Sequence, residues 1–145
     1  MPYIKSYTFG EDLPERTLVK FSDENTVVKL TSPLDKPCGV TIYAGTKGAV
    51  GDVVRNGKAL VNIAGVVEAG DFLMVNANGK AIALDLEDET IKPTAETEET
   101  QTETETPTTT TTAQKTLAYV LGQVEESVSS DASLWVNINI QPLVV

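Results

Sequence analysis

The sequence of 145 residues contains no histidine and a single cysteine, Cys38. Without an imidazole, nucleophiles of the Ser-His-Asp or Cys-His type and zinc sites built on histidine are excluded. One thiol can form neither an intramolecular disulfide nor a zinc site made of cysteines alone. We therefore expect no catalytic residue, no cofactor and no metal site in this chain.

Basic residues and long apolar runs are also scarce. The chain has 11 Lys and Arg against 21 Asp and Glu, which gives a net charge of −10. Binding a phosphate backbone requires clustered basic side chains, so we expect no nucleic-acid partner. No run of about 18 apolar residues occurs, and residues 1–6 lack the apolar stretch of a secretion signal. These absences predict a protein without a membrane partner.

The negative charge is concentrated in one part of the chain. Residues 85–106 contain nine acidic side chains, opposed only by Lys92. The following tract continues to Thr116 with Thr, Glu and Pro and no large apolar side chain. Such a composition cannot build a core, because nothing buried offsets the entropy of ordering the chain. The sequence therefore predicts a long acidic, Thr-rich insertion over residues 87–115.

On both sides of this insertion the apolar residues recur with a period of two, which is the spacing of a strand with one buried face. Residues 134–141 are the clearest example, with Leu134, Val136 and Ile138 on one face and Trp135 and Asn137 on the other. Similar runs lie at 17–21, 26–30, 40–44, 53–55, 59–63, 72–75, 82–86 and 117–124. We expect an all-β fold, a small β-barrel or sandwich, in which residues 17–86 form the first part and residues 116–145 return to complete it.

Two Asn-Gly pairs, Asn56-Gly57 and Asn78-Gly79, lie between such runs. Asn-Gly is a strong signal for a tight hairpin, because both residues tolerate the positive φ angles of the turn. The sequence therefore predicts one hairpin at each pair.

The first nine residues contain four large apolar side chains, Tyr3, Ile4, Tyr7 and Phe9. We expect residues 1–16 to form an extended N-terminal arm that binds a partner by adding a strand to its sheet. The alternative is an edge strand on the chain's own barrel. Trp135 is the other candidate partner-binding residue, because it falls on the polar face of its strand and interfaces are enriched in tryptophan. Its alternative is cover by a loop or by the arm of the same subunit.

The chain resembles the capsid decoration, or cement, proteins of tailed bacteriophages. The resemblance is carried by glycine turns and small apolar residues at 37–41 (PCGVT), 48–54 (GAVGDVV), 64–73 (AGVVEAGDFL) and 78–81 (NGKA), and by a closing pair of strands at 121–127 (LGQVEES) and 134–138 (LWVNI). The family has no catalytic residues to transfer to this sequence.

The resemblance implies a small β-barrel protein without enzymatic activity that binds the outer surface of a mature phage head. Its expected partners are the major capsid protein, whose subunits it would bridge, and further copies of itself, with a trimer favoured and a dimer possible. The competing hypothesis is a surface or adhesion module in which the Thr-rich tract is a glycosylated spacer and Trp135 contacts a ligand. An enzyme that uses Asp and Glu alone is disfavoured, because no carboxylate with a raised pKa can be nominated.

Overall fold

The computed structural model describes residues 2–85 and 116–144. The expected insertion at 87–115 lies outside the described residues. The described residues form nine strands. No helix among the described residues is long and apolar enough to span a membrane. The strands are β1 Tyr3–Phe9, β2 Leu18–Asp23, β3 Thr26–Lys29, β4 Gly39–Thr41, β5 Val50–Ile63, β6 Phe72–Val75, β7 Ala81–Ala83, β8 Thr116–Val124 and β9 Ala132–Val144.

The strands pair into two closed rings that share the long strand β5. The first ring runs β1–β3–β2–β4–β5 and closes because β5 also pairs with β1. The second ring runs β5–β7–β6–β8–β9 and closes through the pairing of β9 with β5. Its contact between β5 and β7 is the single pair Ile63 and Ala81. The expected all-β barrel is confirmed.

The hairpin predicted at Asn56-Gly57 is wrong, because β5 continues straight through this pair. Residues 50–56 pair with β1, and residues 57–63 pair with β9. Gly57 does have a positive φ of 99°, and a Cβ atom there would lie 2.7 Å from the Cα of Pro2. Gly57 therefore allows Pro2 to approach the main chain at the point where β5 changes its partner strand. The Asn-Gly signal by itself predicts a chain reversal here.

The hairpin predicted at Asn78-Gly79 is confirmed. Strands β6 and β7 are antiparallel and are joined by residues 76–80. Gly79 has a φ of 79°, and the side-chain oxygen of Asn76 accepts hydrogen bonds from the main-chain N–H groups of Asn78, at 2.8 Å, and of Lys80, at 3.1 Å. This asparagine fixes the loop, as is usual for Asn side chains in turns.

The apolar core divides at β5, where neighbouring residues point to opposite faces of the strand. Val53 belongs to the core inside the first ring, and Val54 belongs to a larger core that both rings share. The larger core brings together Val61 on β5 with Leu121 and Val136 from beyond the insertion. Both parts of the chain therefore fold into one domain. The core of the first ring consists of Tyr7, Phe9, Leu13, Val19, Val27, Cys38 and Val53.

The structure places the N-terminal residues differently from the expected arm. Residues 3–9 form β1, which is antiparallel to β5 and parallel to β3. Phe9 is 1% exposed, and its ring lies so close to Gly45 and Gly51 that a Cβ atom on either glycine would come within 2.6 Å of it. The segment is a strand of the chain's own barrel because its alternate side chains fill the first ring.

Candidate functional site

The structure separates the five residues that the sequence nominated for partner binding. Tyr7 and Phe9 are buried in the core of the first ring, so the expectation that they contact a partner is wrong. Tyr3, Ile4 and Trp135 are 53%, 44% and 51% exposed, respectively. Of these three, Ile4 and Trp135 lie in one groove, and Tyr3 is not part of its lining.

This aromatic groove, defined by Pro2, Ile4, Tyr43, Leu60 and Trp135, has a volume of about 380 Å³. It follows the line along which β5 passes from the first ring to the second. Ile4 is paired with Val54 in the first half of β5, and Trp135 is paired with Leu60 in the second half. Tyr43 follows β4 and is 69% exposed. The change of partner strand within β5 thus brings Ile4 of β1 and Trp135 of β9 to one surface.

Charged side chains line the edge of the aromatic groove and are neutralised locally. Arg16 lies 3.9 Å from the carboxylate of Glu15 and also donates a hydrogen bond to the hydroxyl of Ser133 at 3.3 Å. Lys58 lies 3.7 Å from the carboxylate of Glu125. An apolar floor that contains Trp and Tyr, with paired polar groups around it, is the usual anatomy of a protein–protein contact.

A second groove of about 350 Å³ lies on β6, β8 and β9. Its apolar lining includes Phe72, which is 52% exposed, with Leu84 and Leu143. Exposed amides of Asn137 and Asn139 form its polar side. This surface has one aromatic ring, whereas the aromatic groove has two.

The described residues offer little reactive chemistry. They contain no group of three or more acidic or cysteine side chains placed to hold a metal ion. Cys38 is buried, and burial raises the pKa of its thiol, while the charge of Arg55 lowers it in part. The thiolate is therefore disfavoured, and a thiol in this state is a poor nucleophile. The aromatic groove is therefore the candidate binding surface of the described residues.

Sequence reasoning identified Ile4 and Trp135 but missed Tyr43 and Leu60. Trp135 was detectable because it interrupts the polar face of an alternating strand. Tyr43 lies within the short run 40–44, and Leu60 occupies the partly exposed face of β5, so neither has a pattern that marks it as a surface contact. Their role depends on the pairing of strands distant in sequence.

Comparison with known proteins defines the fold. No family model and no curated protein matches the sequence. The structure is similar to the crystal structure of the head fiber gp8.5 N base of bacteriophage phi29, with a TM-score of 0.58 and 16% sequence identity. The match covers 96% of this chain and 95% of that chain. The described residues of this chain therefore share the fold of that base.

Proposed function

We propose that this protein is a non-enzymatic structural component of a phage head. It binds the outer surface of the mature head and stabilises the shell by bridging major capsid subunits. The proposal is supported by the sequence resemblance to decoration proteins and by a fold shared with a phage head fiber base. The observation that carries it is the exposed aromatic groove of Ile4, Tyr43 and Trp135 on a chain of this fold.

The physical basis of the role is the resistance of a shell to outward pressure. A shell fails where its subunits meet, so a protein that contacts two or more subunits raises the free energy needed to separate them. Each contact can be weak, because the first attachment raises the effective concentration for the next. We include in the proposal that the chain acts as a homo-oligomer, with a trimer favoured over a dimer, since several copies multiply the attachment points.

Surface charge is compatible with this role. The net charge of −10 makes free copies repel one another at low ionic strength. Repulsion of this kind keeps both free subunits and finished particles from associating non-specifically. Specific attachment is then made by local contacts, and the aromatic groove, whose neighbouring charges are already paired, is one of them.

The test is binding of the purified protein to expanded heads that lack decoration. We expect the protein to sediment with the heads and to raise the temperature at which they break open. Trp135→Ala should weaken binding by at least about tenfold, because a central, half-exposed tryptophan is a typical energetic centre of an interface.

Phe72→Ala is the matched control, because Phe72 is as exposed as Trp135 but lies in the other groove. It should bind heads like the unaltered protein. Absence of co-sedimentation, with no gain in heat resistance, would contradict the proposed function. Equal losses for the two variants would show that the aromatic groove is not the attachment surface.

A further inference from the structure

The main chain of β1 faces two different neighbours at alternate residues. The N–H of Phe9 donates to the carbonyl of Ala49, which precedes β5, at 2.8 Å. The N–H groups of Thr8 and Gly10 point the other way and donate at 2.8 Å to the carbonyls of Asn25 and Val27. Because this direction alternates along a strand, the main-chain groups of Ile4 and Ser6 also point away from β5.

Strand β3 is too short to reach them. Its pairing with β1 is limited to Thr8 and Phe9. Within residues 2–85 and 116–144, no main-chain hydrogen bond is made by Ile4 or Ser6 on this side. We call these two residues the open edge of β1. It is a short row of unpaired N–H and C=O groups of the kind to which another chain can add a strand.

A row of cations and rings lies beside the open edge. The ammonium of Lys5 is 5.8 Å from the centre of the Tyr7 ring, and the guanidinium of Arg55 is 5.6 Å from that of Phe21. The Tyr7 and Phe21 rings meet edge to face at 5.3 Å, so the four side chains are continuous. We call them the cationic strip.

Among the described residues, Arg16, Lys20, Lys58 and Lys80 each form an ion pair with a carboxylate. Lys5 and Arg55 form none with a described residue, and neither do Lys29, Lys36 and Lys47, which are not part of the cationic strip. Lys5 is exposed and Arg55 is half-buried. A strongly acidic protein thus keeps two unpaired cations next to an unpaired strand edge. A negatively charged group is attracted to Lys5 and Arg55 here. The carboxylate of Asp52, which accepts a hydrogen bond from the Ser6 hydroxyl, lies on the opposite face of β1 from Lys5, because neighbouring side chains of a strand alternate in direction.

We propose that the open edge of β1 and the cationic strip bind an extended acidic segment of the head shell protein as an added strand. The segment satisfies the main-chain groups of Ile4 and Ser6. Its alternate side chains fall on one face, which places a carboxylate beside Lys5. This inference rests on the proposed function and names the chemistry of the partner that the head supplies.

Strand β9 also has an unpaired edge in the described part of the chain, and this edge is less suited to the role. Strand β9 pairs with β5 only as far as Ile138 and continues to Val144 beside β8 alone. This extension contains Pro142, which lacks an N–H group and discourages strand addition. Strand β9 itself contains no Lys or Arg.

Hydrogen exchange at single residues tests the inference, because the amides of alternate residues of β1 should respond differently. In the free full-length protein, the amides of Lys5 and Tyr7 should exchange slowly, because they pair with β5, and those of Ile4 and Ser6 should exchange fast. On binding to undecorated heads, the exchange of Ile4 and Ser6 should slow by about tenfold or more, whereas that of Lys5 and Tyr7 should change little. A general change in stability would not follow this alternation.

Charge reversal supplies the second measurement. Lys5→Glu should weaken binding to heads by about tenfold and should lessen its dependence on salt. Lys36→Glu is the matched control, because Lys36 is an exposed lysine between β3 and β4 that forms no ion pair with any described residue, and it should bind like the unaltered protein. Lys5 is exposed, so its replacement should leave the melting temperature unchanged.

The outcomes separate the two proposals. If the unaltered protein does not bind heads, the proposed function falls and this inference falls with it. If it binds while Ile4 and Ser6 exchange as before, or if Lys5→Glu binds normally, the inference alone is overturned. Slow exchange of Ile4 and Ser6 already in the free protein would mean that the edge is occupied by this chain or by a second copy, which also overturns it.

Discussion

The two rings of strands share β5 but fill their interiors by different means. The first ring encloses two aromatic side chains, Tyr7 and Phe9, within a core of seven residues. The larger core, which includes the interior of the second ring, has fifteen buried residues, all of them aliphatic. A closed ring of five strands can thus be filled by a few large aromatic side chains or by many smaller aliphatic ones. The two interiors should respond differently to the loss of a side chain.

The rings resemble each other in their use of glycine. A Cβ atom on Gly39 of the first ring would lie 2.2 Å from the carbonyl oxygen of Val54, and one on Gly122 of the second ring would lie 2.1 Å from that of Asn137. In both places a strand approaches its neighbour's main chain more closely than any side chain allows. The architecture therefore depends on backbone contact in both rings, and only the filling differs.

Loss of the Phe9 ring should have the largest effect on stability. Phe9→Ala should lower the free energy of unfolding by about 3–5 kcal/mol, because Gly45 and Gly51 on either side of the ring have no side chains that could fill the space. Leu121→Ala in the larger core should lower it by about 2–5 kcal/mol, nearer the lower end, because many aliphatic neighbours can relax into the cavity. Urea unfolding measures both changes.

Phe72→Ala is the control for these variants. Phe72 is half-exposed, so its replacement should change the free energy of unfolding by no more than about 0.5 kcal/mol. If Phe9→Ala behaves like Phe72→Ala, the first ring does not depend on its aromatic core.

Substitution of the two close-contact glycines should have the next largest effect. Gly39→Ala should cost about 1–3 kcal/mol through overpacking against the main chain of β5. Gly122→Ala should cost more, because Gly122 also has a φ of 149°, a conformation that adds about 1–3 kcal/mol of strain for any other residue.

Gly65→Ala separates strain from contact. Gly65 has a positive φ of 80° but no atom within 4 Å of the position of a Cβ. Its replacement should cost only about 1–2 kcal/mol, the ordinary penalty of the left-handed conformation. Thermal or urea unfolding of the three variants should therefore rank Gly122→Ala above Gly65→Ala. The reverse order would mean that the close contact in the second ring can relax.

The smallest expected effect is a loss of stability at alkaline pH that arises from two buried groups of the first ring. Burial raises the pKa of Cys38 and of Tyr7, and the Cys38 thiol raises that of Tyr7 further. The unfolded chain then releases these protons at lower pH than the folded protein does. The free energy of unfolding should therefore be unaffected by these groups at neutral pH and should fall as the pH rises through about 8.5 and again through about 10.

Two variants divide this pH dependence. Cys38→Ala should remove the decrease that begins near pH 8.5, and Tyr7→Phe should remove the one near pH 10. The measurement is urea unfolding between pH 7 and pH 11. A decrease of the same size in both variants and in the unaltered protein would place its origin outside the first ring.

The sequence predicted those parts of the fold that depend on neighbours along the chain. The alternation in residues 134–141 gave the correct buried face of β9, and the turn chemistry around Asn78 and Gly79 gave a real hairpin. The same dipeptide at Asn56-Gly57 misled, because its outcome depends on β1 and β9, which come from opposite ends of the chain. An Asn-Gly pair indicates which φ angles the main chain can adopt, but it does not indicate which strand will pair with that segment.

The candidate site was predictable to a similar extent. Ile4 and Trp135 were identified as exposed apolar side chains, and they do lie in one groove. Tyr7 and Phe9 looked equally free in sequence, yet the first ring closes around them. Tyr43 joins the groove only because β4 pairs with β5, which brings residues that follow β4 beside Ile4 and Trp135.

By itself, the sequence determined an all-β chain without histidine chemistry, with its charge concentrated in one tract and with turns at several glycines. Only the tertiary structure decided that one strand of 14 residues serves two rings, and that closing them buries Tyr7 and Phe9 while leaving Ile4, Tyr43 and Trp135 on the surface. The physical reason is that alternation along a strand assigns side chains to two faces, but which face meets water depends on the strands that pair with it.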